Sequence, residues 1–307
     1  MSTTKKVFLI FSFLLFNTTL LMSSCIAVMT VGGGHFWNEV KKGALQAGKE
    51  IDVNIYHRAP IDEANVNGQK KAIRSAIQRG CNGFVIAPNT QEINKIATQF
   101  KKQNIPTVYI DRDYGGDRLS IISTNNYLAG KFAGEEMVKA LKGKGKVAIF
   151  RLSKEIVSTT AREEGFIKAV TIGGLEVVFE KYVGTRVGNA REHSLKILKK
   201  MNNIDGIFTP NETTTLGVLI NLENLNKYNK IIHIGFDSHK RMIDSLKENN
   251  LYGFIVQNPF QMGYQGVHNV YKAMKGHKID NTIDTKVIFI NNDNINNPTI
   301  KKMLGLK

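Results

Sequence analysis

The chain lacks most of the features that announce a function. In 307 residues it has two cysteines, Cys25 and Cys81, one tryptophan and six prolines. Its seven histidines are scattered, and no Cys/His pair has ligand spacing, which excludes a zinc-type centre as an organising element. Despite a formal charge of +16, Lys and Arg are interleaved with Asp and Glu along the whole chain. Without a block of like charges, this reads as a solvated surface and not as a nucleic-acid tail. Nucleotide motifs are also missing. A G-x-G-x-x-G pattern from Gly32 would need glycine where Trp37 stands, and one from Gly33 would need it at His35. Gly143-Lys144-Gly145-Lys146 lacks the first glycine and the hydroxyl residue of a P-loop. There is no low-complexity region and no long linker.

The one long apolar run is at the N-terminus. Lys5-Lys6 precede a stretch broken only by Ser12 and Asn17, followed by Leu21-Met22-Ser23-Ser24-Cys25. A charged start, a short apolar run and a small-residue exit predict a signal peptide over residues 1–25, and therefore export. Cys25 stands where bacterial lipoproteins carry their acylated cysteine, although Met22 replaces the usual leucine and the first strand starts at Ile26 with no tether. Two outcomes stay open: a lipid anchor at Cys25, or a soluble periplasmic form. With Cys25 cleaved away or acylated, no intrachain disulfide is expected and Cys81 is expected to be a small buried thiol.

From Ile26 onward, short β-branched runs alternate with amphipathic segments of helical period. Strands are expected at Ile26–Val31, Val53–Tyr56, Phe84–Ile86, Thr107–Ile110 and Ser120–Ile122. After Asn125 the programme restarts, with strands at Val147–Phe150, Leu175–Phe179, Gly206–Phe208, Ile231–Ile234, Gly253–Val256 and Thr285–Ile290, then a polar tail. The predicted fold class is α/β: two doubly wound parallel-sheet lobes facing across a cleft. The expected boundaries are 26–124 plus 259–288 for the first lobe and 125–258 plus 289–307 for the second. A three-crossing hinge would pass near Thr124-Asn125, Gln257-Asn258 and Phe289-Ile290.

In such sheets, ligands bind beyond the carboxyl ends of the strands. The residues found there are Phe36-Trp37 after the glycines, Asp111-Arg112, Asn211, Asp237 and Gln257, with Arg162 at a helix start. A carboxylate beside a guanidinium can fix two neighbouring hydroxyls, Asn and Gln both donate and accept, and an aromatic face stacks on the C–H face of a sugar. Each residue also has a plainer role open to it: Phe36-Trp37 as core, Asp111-Arg112 as a turn pair, Asp237 as a helix cap.

Taken together, Ile26-Ala27-Val28 with His35-Phe36-Trp37, Ile110-Asp111-Arg112, Thr159 to Phe166, Asn211-Glu212, Ile234-Gly235-Phe236-Asp237 and Gln257 resemble the bacterial periplasmic sugar-binding proteins of the ribose-binding type, in the same order over 26–300. The resemblance implies a type 1 periplasmic binding fold whose lobes close by a hinge. It also implies that Phe36 and Trp37 stack on a pyranose or cyclitol, while Asp111, Arg112, Arg162, Asn211, Asp237 and Gln257 hydrogen-bond its hydroxyls. Gly34, Ala87 and Thr185 depart from the ribose pattern. No cofactor is implied. The implied partners are a neutral sugar or cyclitol and the permease of an ABC transporter or a membrane sensor, with the receptor acting as a monomer and binding no nucleic acid.

Asp111 and Asp237 formally balance Arg112 and Arg162, an argument for a neutral ligand over a phosphate ester. His35, Arg58 and Glu155 are expected near the rim. Two rivals are weaker. A lac-repressor-type regulator needs a helix-turn-helix where this chain has an export signal. An enzyme using Asp111 or Asp237 as acid or base would turn its ligand over.

Overall fold

The computed structural model describes residues 24–306, so the signal-peptide expectation over 1–23 lies outside the described residues. The first lobe runs β1 (Cys25–Met29), α1 (His35–Glu50), β2 (Asn54–Arg58), α2 (Val66–Gln78), β3 (Gly83–Ile86), α3 (Ile93–Lys102), β4 (Thr107–Ile110) and β5 (Ser120–Ser123). The chain then crosses into α4 (Asn126–Ala140), β6 (Gly145–Arg151), α5 (Val157–Ile172), β7 (Leu175–Tyr182), α6 (Val187–Leu198), β8 (Gly206–Phe208), α7 (Glu212–Asn224), β9 (Ile232–Phe236), α8 (Lys240–Lys247) and β10 (Gly253–Val256). It closes with α9 (Pro259–Met274), β11 (Thr282–Asp284), β12 (Ile288–Asn291) and α10 (Pro298–Met303).

Two six-stranded sheets result, ordered β11-β5-β4-β3-β1-β2 and β12-β10-β9-β8-β6-β7. Their pairings are parallel except β10 with β12. Each sheet is covered on both faces, which explains why its inner strands read as unbroken apolar runs. Alternate residues of β1 feed opposite layers: Ile26 and Val28 pack with α1 and α9, while Ala27 and Met29 pack with α2 and α3. In the second lobe, Val147 and Ile149 face one cluster and Ala148 and Phe150 the other.

Of the expected strand over 285–290, only 288–290 is strand, in β12, while a further short strand, β11, precedes it. β11 pairs with β5 in the first sheet and β12 with β10 in the second, so the last crossing falls within 285–287. Thr285 sits beside Thr124 at that crossing, their hydroxyls 3.4 Å apart. The polar tail also holds a short helix, α10, whose Ile300 is buried in the second lobe.

Helices α4 and α5 touch through glycine. A Cβ on Gly130 would lie 1.9 Å from the Arg162 carbonyl oxygen, and one on Gly165 would lie 2.1 Å from that of Tyr127. This backbone-to-backbone contact sets the depth at which Arg162 enters the cleft.

The two cysteines correct the sequence reading. Ile26 pairs with Gly83 across β1 and β3, so Cys25 and Cys81 arrive at the same sheet edge. Their Cα atoms are 4.3 Å apart and a disulfide joins them. The expectation of no disulfide and a free Cys81 thiol fails because Cys25 is the first residue of a strand buried along its length and lies beside Cys81. A sulfur held in that bond cannot be acylated, so the disulfide and an anchor at Cys25 exclude one another. Protein recovered from an oxidising compartment is expected to weigh two hydrogens less than its reduced form. Cys81→Ser is expected to lower the melting temperature, with up to about 4 kcal/mol at stake for a loop of this length. Free thiol at both positions in the native protein would refute the pairing.

Candidate functional site

Between the lobes lies a cavity of about 240 Å³. This is just under the roughly 300–1,000 Å³ typical of drug-sized ligands and suits one small ring. All of Phe36, Trp37, Asp111, Arg112, Arg162, Asn211, Asp237 and Gln257 line it, as does Thr185.

The two aspartates occupy equivalent places. Asp111 follows β4 with φ +65° and Asp237 follows β9 with φ +67°. Each backbone N–H donates to the neighbouring strand, Asp111 to the Ile122 carbonyl at 3.0 Å and Asp237 to that of Ile255 at 2.7 Å. The left-handed turn lifts each carboxyl off its strand end and into the cleft. Asp237 is not a helix cap, since His239 caps α8. Burial raises both carboxyls above the ordinary carboxylate range, opposed by Arg112 and Arg162 at Asp111 and chiefly by Arg162 at Asp237.

On the first lobe, Arg112 donates from Nε to Asp111 Oδ2 at 2.9 Å and from Nη2 to Glu63. Glu63 Oε1 also accepts from Trp37 Nε1 at 3.3 Å. Glu63 thus ties the indole to the guanidinium and leaves Arg112 Nη1 buried with no partner. The rings of Phe36 and Trp37 stand at 87° with centroids 4.8 Å apart. A sugar ring lying flat on one therefore meets the other edge-on, and the two cannot both stack on it as the resemblance implied.

On the second lobe, Arg162 is 2% exposed. It donates from Nε to Asn126 Oδ1 at 2.8 Å and from Nη1 to the Pro210 carbonyl at 2.9 Å, with its plane 3.9 Å above the Phe236 ring centroid. Asn211 caps α7 through Oδ1, accepting from Thr214 N at 3.1 Å, which leaves its Nδ2 for other partners. Asp237 Oδ1 accepts from Gln257 Nε2 at 2.6 Å and Oδ2 from Glu212 N at 3.1 Å. Gln257 Oε1 is buried with no partner.

Three contacts shut the lobes on the cavity. Glu212 accepts from the backbone N–H groups of His35 and Phe36, at 3.4 and 3.3 Å, at the α1 N-terminus. Tyr114 Oη donates to the Glu155 carbonyl at 2.8 Å. Arg186 Nε lies 3.8 Å from Asp62 Oδ2.

Glu63 and Glu212 line the cavity and are missing from the sequence-level site. They overturn the formal neutrality inferred from two aspartates and two arginines: with Asp62 and Arg186 paired at the mouth, the core still gains two carboxylates beyond its arginines. Glu212 was legible as the neighbour of Asn211, but Glu63, in the aperiodic connection after β2, carried no signal. The rim expectations also fail. His35 borders only a small adjoining cleft. Arg58 folds back over Tyr56, and Glu155 contributes its carbonyl to Tyr114 and not a carboxylate to the wall. Gly34 has φ +108°, and a Cβ there would lie 3.3 Å from Glu212 Oε1, so the space left by a missing side chain is taken by Glu212. Ala87 is fully buried, its carbonyl accepting from Gln69 at 2.7 Å, and it does not reach the cavity.

A family profile described as periplasmic binding protein domain matches residues 26–278. The ribose import binding protein RbsB of Haemophilus influenzae is 28% identical over 264 residues, covering 82% of this chain and 87% of that protein. A carbohydrate transporter solute-binding protein of Agrobacterium radiobacter, solved in complex with D-arabinose, is 26% identical with a TM-score of 0.87, covering 92% of this chain and 99% of that one. A solute-binding protein of Agrobacterium vitis, solved with bound D-fucose, is 26% identical with a TM-score of 0.86, covering 91% and 99%. With two parallel-sheet lobes closed on one polar cavity and a profile match over most of its length, the chain belongs to the periplasmic binding protein domain family.

Proposed function

We propose that this protein is an exported solute receptor that closes on a single monosaccharide or cyclitol and delivers it to the permease of an ABC-type importer. The observation that carries this reading is the closed cavity itself. It is sized for one ring and walled on one side by Phe36 and Trp37, and it holds a buried donor without a partner at Arg112 Nη1, the amide of Asn211, and acceptors at Asp111, Asp237 and Gln257. A sugar offers an apolar face to the rings and hydroxyls to both kinds of group. Its hydrogen bonds would form in a dry cleft, where they are stronger than in water.

The relatives named for ribose import, and those solved with D-arabinose or D-fucose, support a sugar ligand and a transport partner. A periplasmic location follows from the same kinship and agrees with the N-terminal export signal. The binding residues are the eight strand-end and helix-start residues joined by Glu63 and Glu212. Catalysis has no part in this reading, because Asp111 and Asp237 are committed to fixed hydrogen bonds that orient a ligand. An anionic sugar ester is disfavoured by the cavity's excess of carboxylates.

Trp37 is the only tryptophan, so titration of the mature protein with pentoses, hexoses and inositols reports on the site directly. A bound sugar is expected to change tryptophan emission and to raise the melting temperature with ligand concentration. A ligand that raises melting while leaving emission unchanged would remove Trp37 from the site. Arg162→Ala is expected to weaken binding of a confirmed sugar by about ten- to hundredfold, the loss of a charged hydrogen bond worth roughly 1.5–3 kcal/mol. Unchanged affinity would show that Arg162 does not grip the ligand.

A further inference from the structure

Basic residues outnumber acidic ones by 42 to 26 in the whole chain, yet the cavity reverses that ratio. Its walls carry the carboxylates of Asp62, Glu63, Asp111, Glu212 and Asp237 against the guanidiniums of Arg112, Arg162 and Arg186, and no lysine. Asp62 and Arg186 face each other at the mouth. Glu63 and Asp111 share Arg112. Arg162 spends its bonds on Asn126 and the Pro210 carbonyl and makes no ion pair within 4.0 Å of a carboxylate among the described residues. Glu212 and Asp237 are therefore left as adjacent carboxylates without a bonded cation, Arg162 acting on Asp237 only through space and no cation acting on Glu212.

The same corner is rich in acceptors. Asp237 receives one bond on each oxygen, from Gln257 Nε2 and Glu212 N. Glu212 receives only the long bonds from the α1 N-terminus. Gln257 Oε1 is held away from Asp237 by its own amide nitrogen, and it is buried without any donor. Two carboxylates and a free amide oxygen call for several N–H or O–H donors and a positive charge. A hydroxyl supplies one donor and no charge, whereas an ammonium supplies three donors, a full charge and no lone pair to clash with the acceptors.

We infer that the ligand is an amino sugar whose ammonium sits against Glu212, Asp237 and Gln257 Oε1. This rests on the monosaccharide-receptor reading and narrows it. The electrostatics agree with it. Burial and the neighbouring Asp237 push the Glu212 carboxyl up to about 7, with Glu63 adding to the rise and the N–H groups of His35 and Phe36 opposing it. An arriving ammonium removes the cause of that rise by pairing the charge. Glu212, close to half protonated in the empty cavity at neutral pH, then loses its proton on binding.

The test is calorimetric titration of the mature protein at pH 7 with amino-deoxyhexoses, the amine on each available carbon in turn, beside the parent hexoses and pentoses. It is run in two buffers of different ionisation enthalpy so that proton exchange is read directly. At least one amino sugar is expected to bind about tenfold or more tightly than its parent, close to 1.4 kcal/mol, with release of protons. Glu212→Gln is expected to shrink that ratio toward one and to abolish the proton release. Should the variant fail to fold, the proton release of the wild-type protein still decides the matter. Parent sugars that bind as tightly as every amino form, or binding of the amine without proton release, would overturn the inference while leaving a sugar receptor in place. Failure of every sugar in both series to bind would instead reject the receptor reading.

Discussion

A carboxylate can stay ionised inside a closed cleft only while its oxygens are met by donors or by a cation, and the rest of this structure is arranged around that demand. Asp111 and Asp237 meet it in the same way in two separate sheets. Each leaves its strand through a left-handed residue, each anchors its backbone N–H to the next strand, and each has a partner side chain from its own lobe, Arg112 or Gln257. Glu63 extends the set beside Arg112 and the Trp37 indole N–H, and Glu212 does so at an electrostatic cost that the α1 N-terminus offsets in part.

The lobes contribute unequally. The first supplies the apolar wall, with Phe36 and Trp37 on the first turn of α1, and a rigid carboxylate–guanidinium cluster around Arg112. The second supplies most of the polar reach, from the starts of α5 and α7 and the ends of β9 and β10. Neither lobe alone encloses a ring, so affinity depends on closure, and closure brings Glu212 under the backbone of α1. Glu212, which belongs to one lobe, accepts from the backbone at the α1 N-terminus of the other, beside the Tyr114–Glu155 and Arg186–Asp62 contacts.

Much of this is legible in the sequence, and the reasons for what is not are physical. Asp111, Asn211, Asp237 and Gln257 follow buried strands, whose β-branched runs mark where a crevice must be. The parallel pattern points to two lobes, and the last crossing is misplaced because β11 has a single apolar residue, Ile283, and gives no run to read, whereas Val287 to Ile290 marks β12 alone. Glu63 escapes notice because an aperiodic loop after β2 gives no clue to its direction. The formal neutrality of the site fails for the same reason, since it counts only residues that periodicity can place. The Cys25–Cys81 bond escapes the sequence reading because a cysteine after an apolar N-terminal run reads as a processing site, and only the register of β1 against β3 brings it beside Cys81.

Arg162 has one further property. Its Nε is bonded to Asn126, the first residue of α4, immediately beyond the point where the chain leaves the first lobe beside Thr124 and Thr285. The guanidinium in the cleft is thus moored to the pivot, and the glycine contact between α4 and α5 leaves no slack between them. Arg162 and Asn126 both belong to the second lobe, so the guanidinium keeps a fixed place relative to α4 and enters the cleft as part of one rigid body.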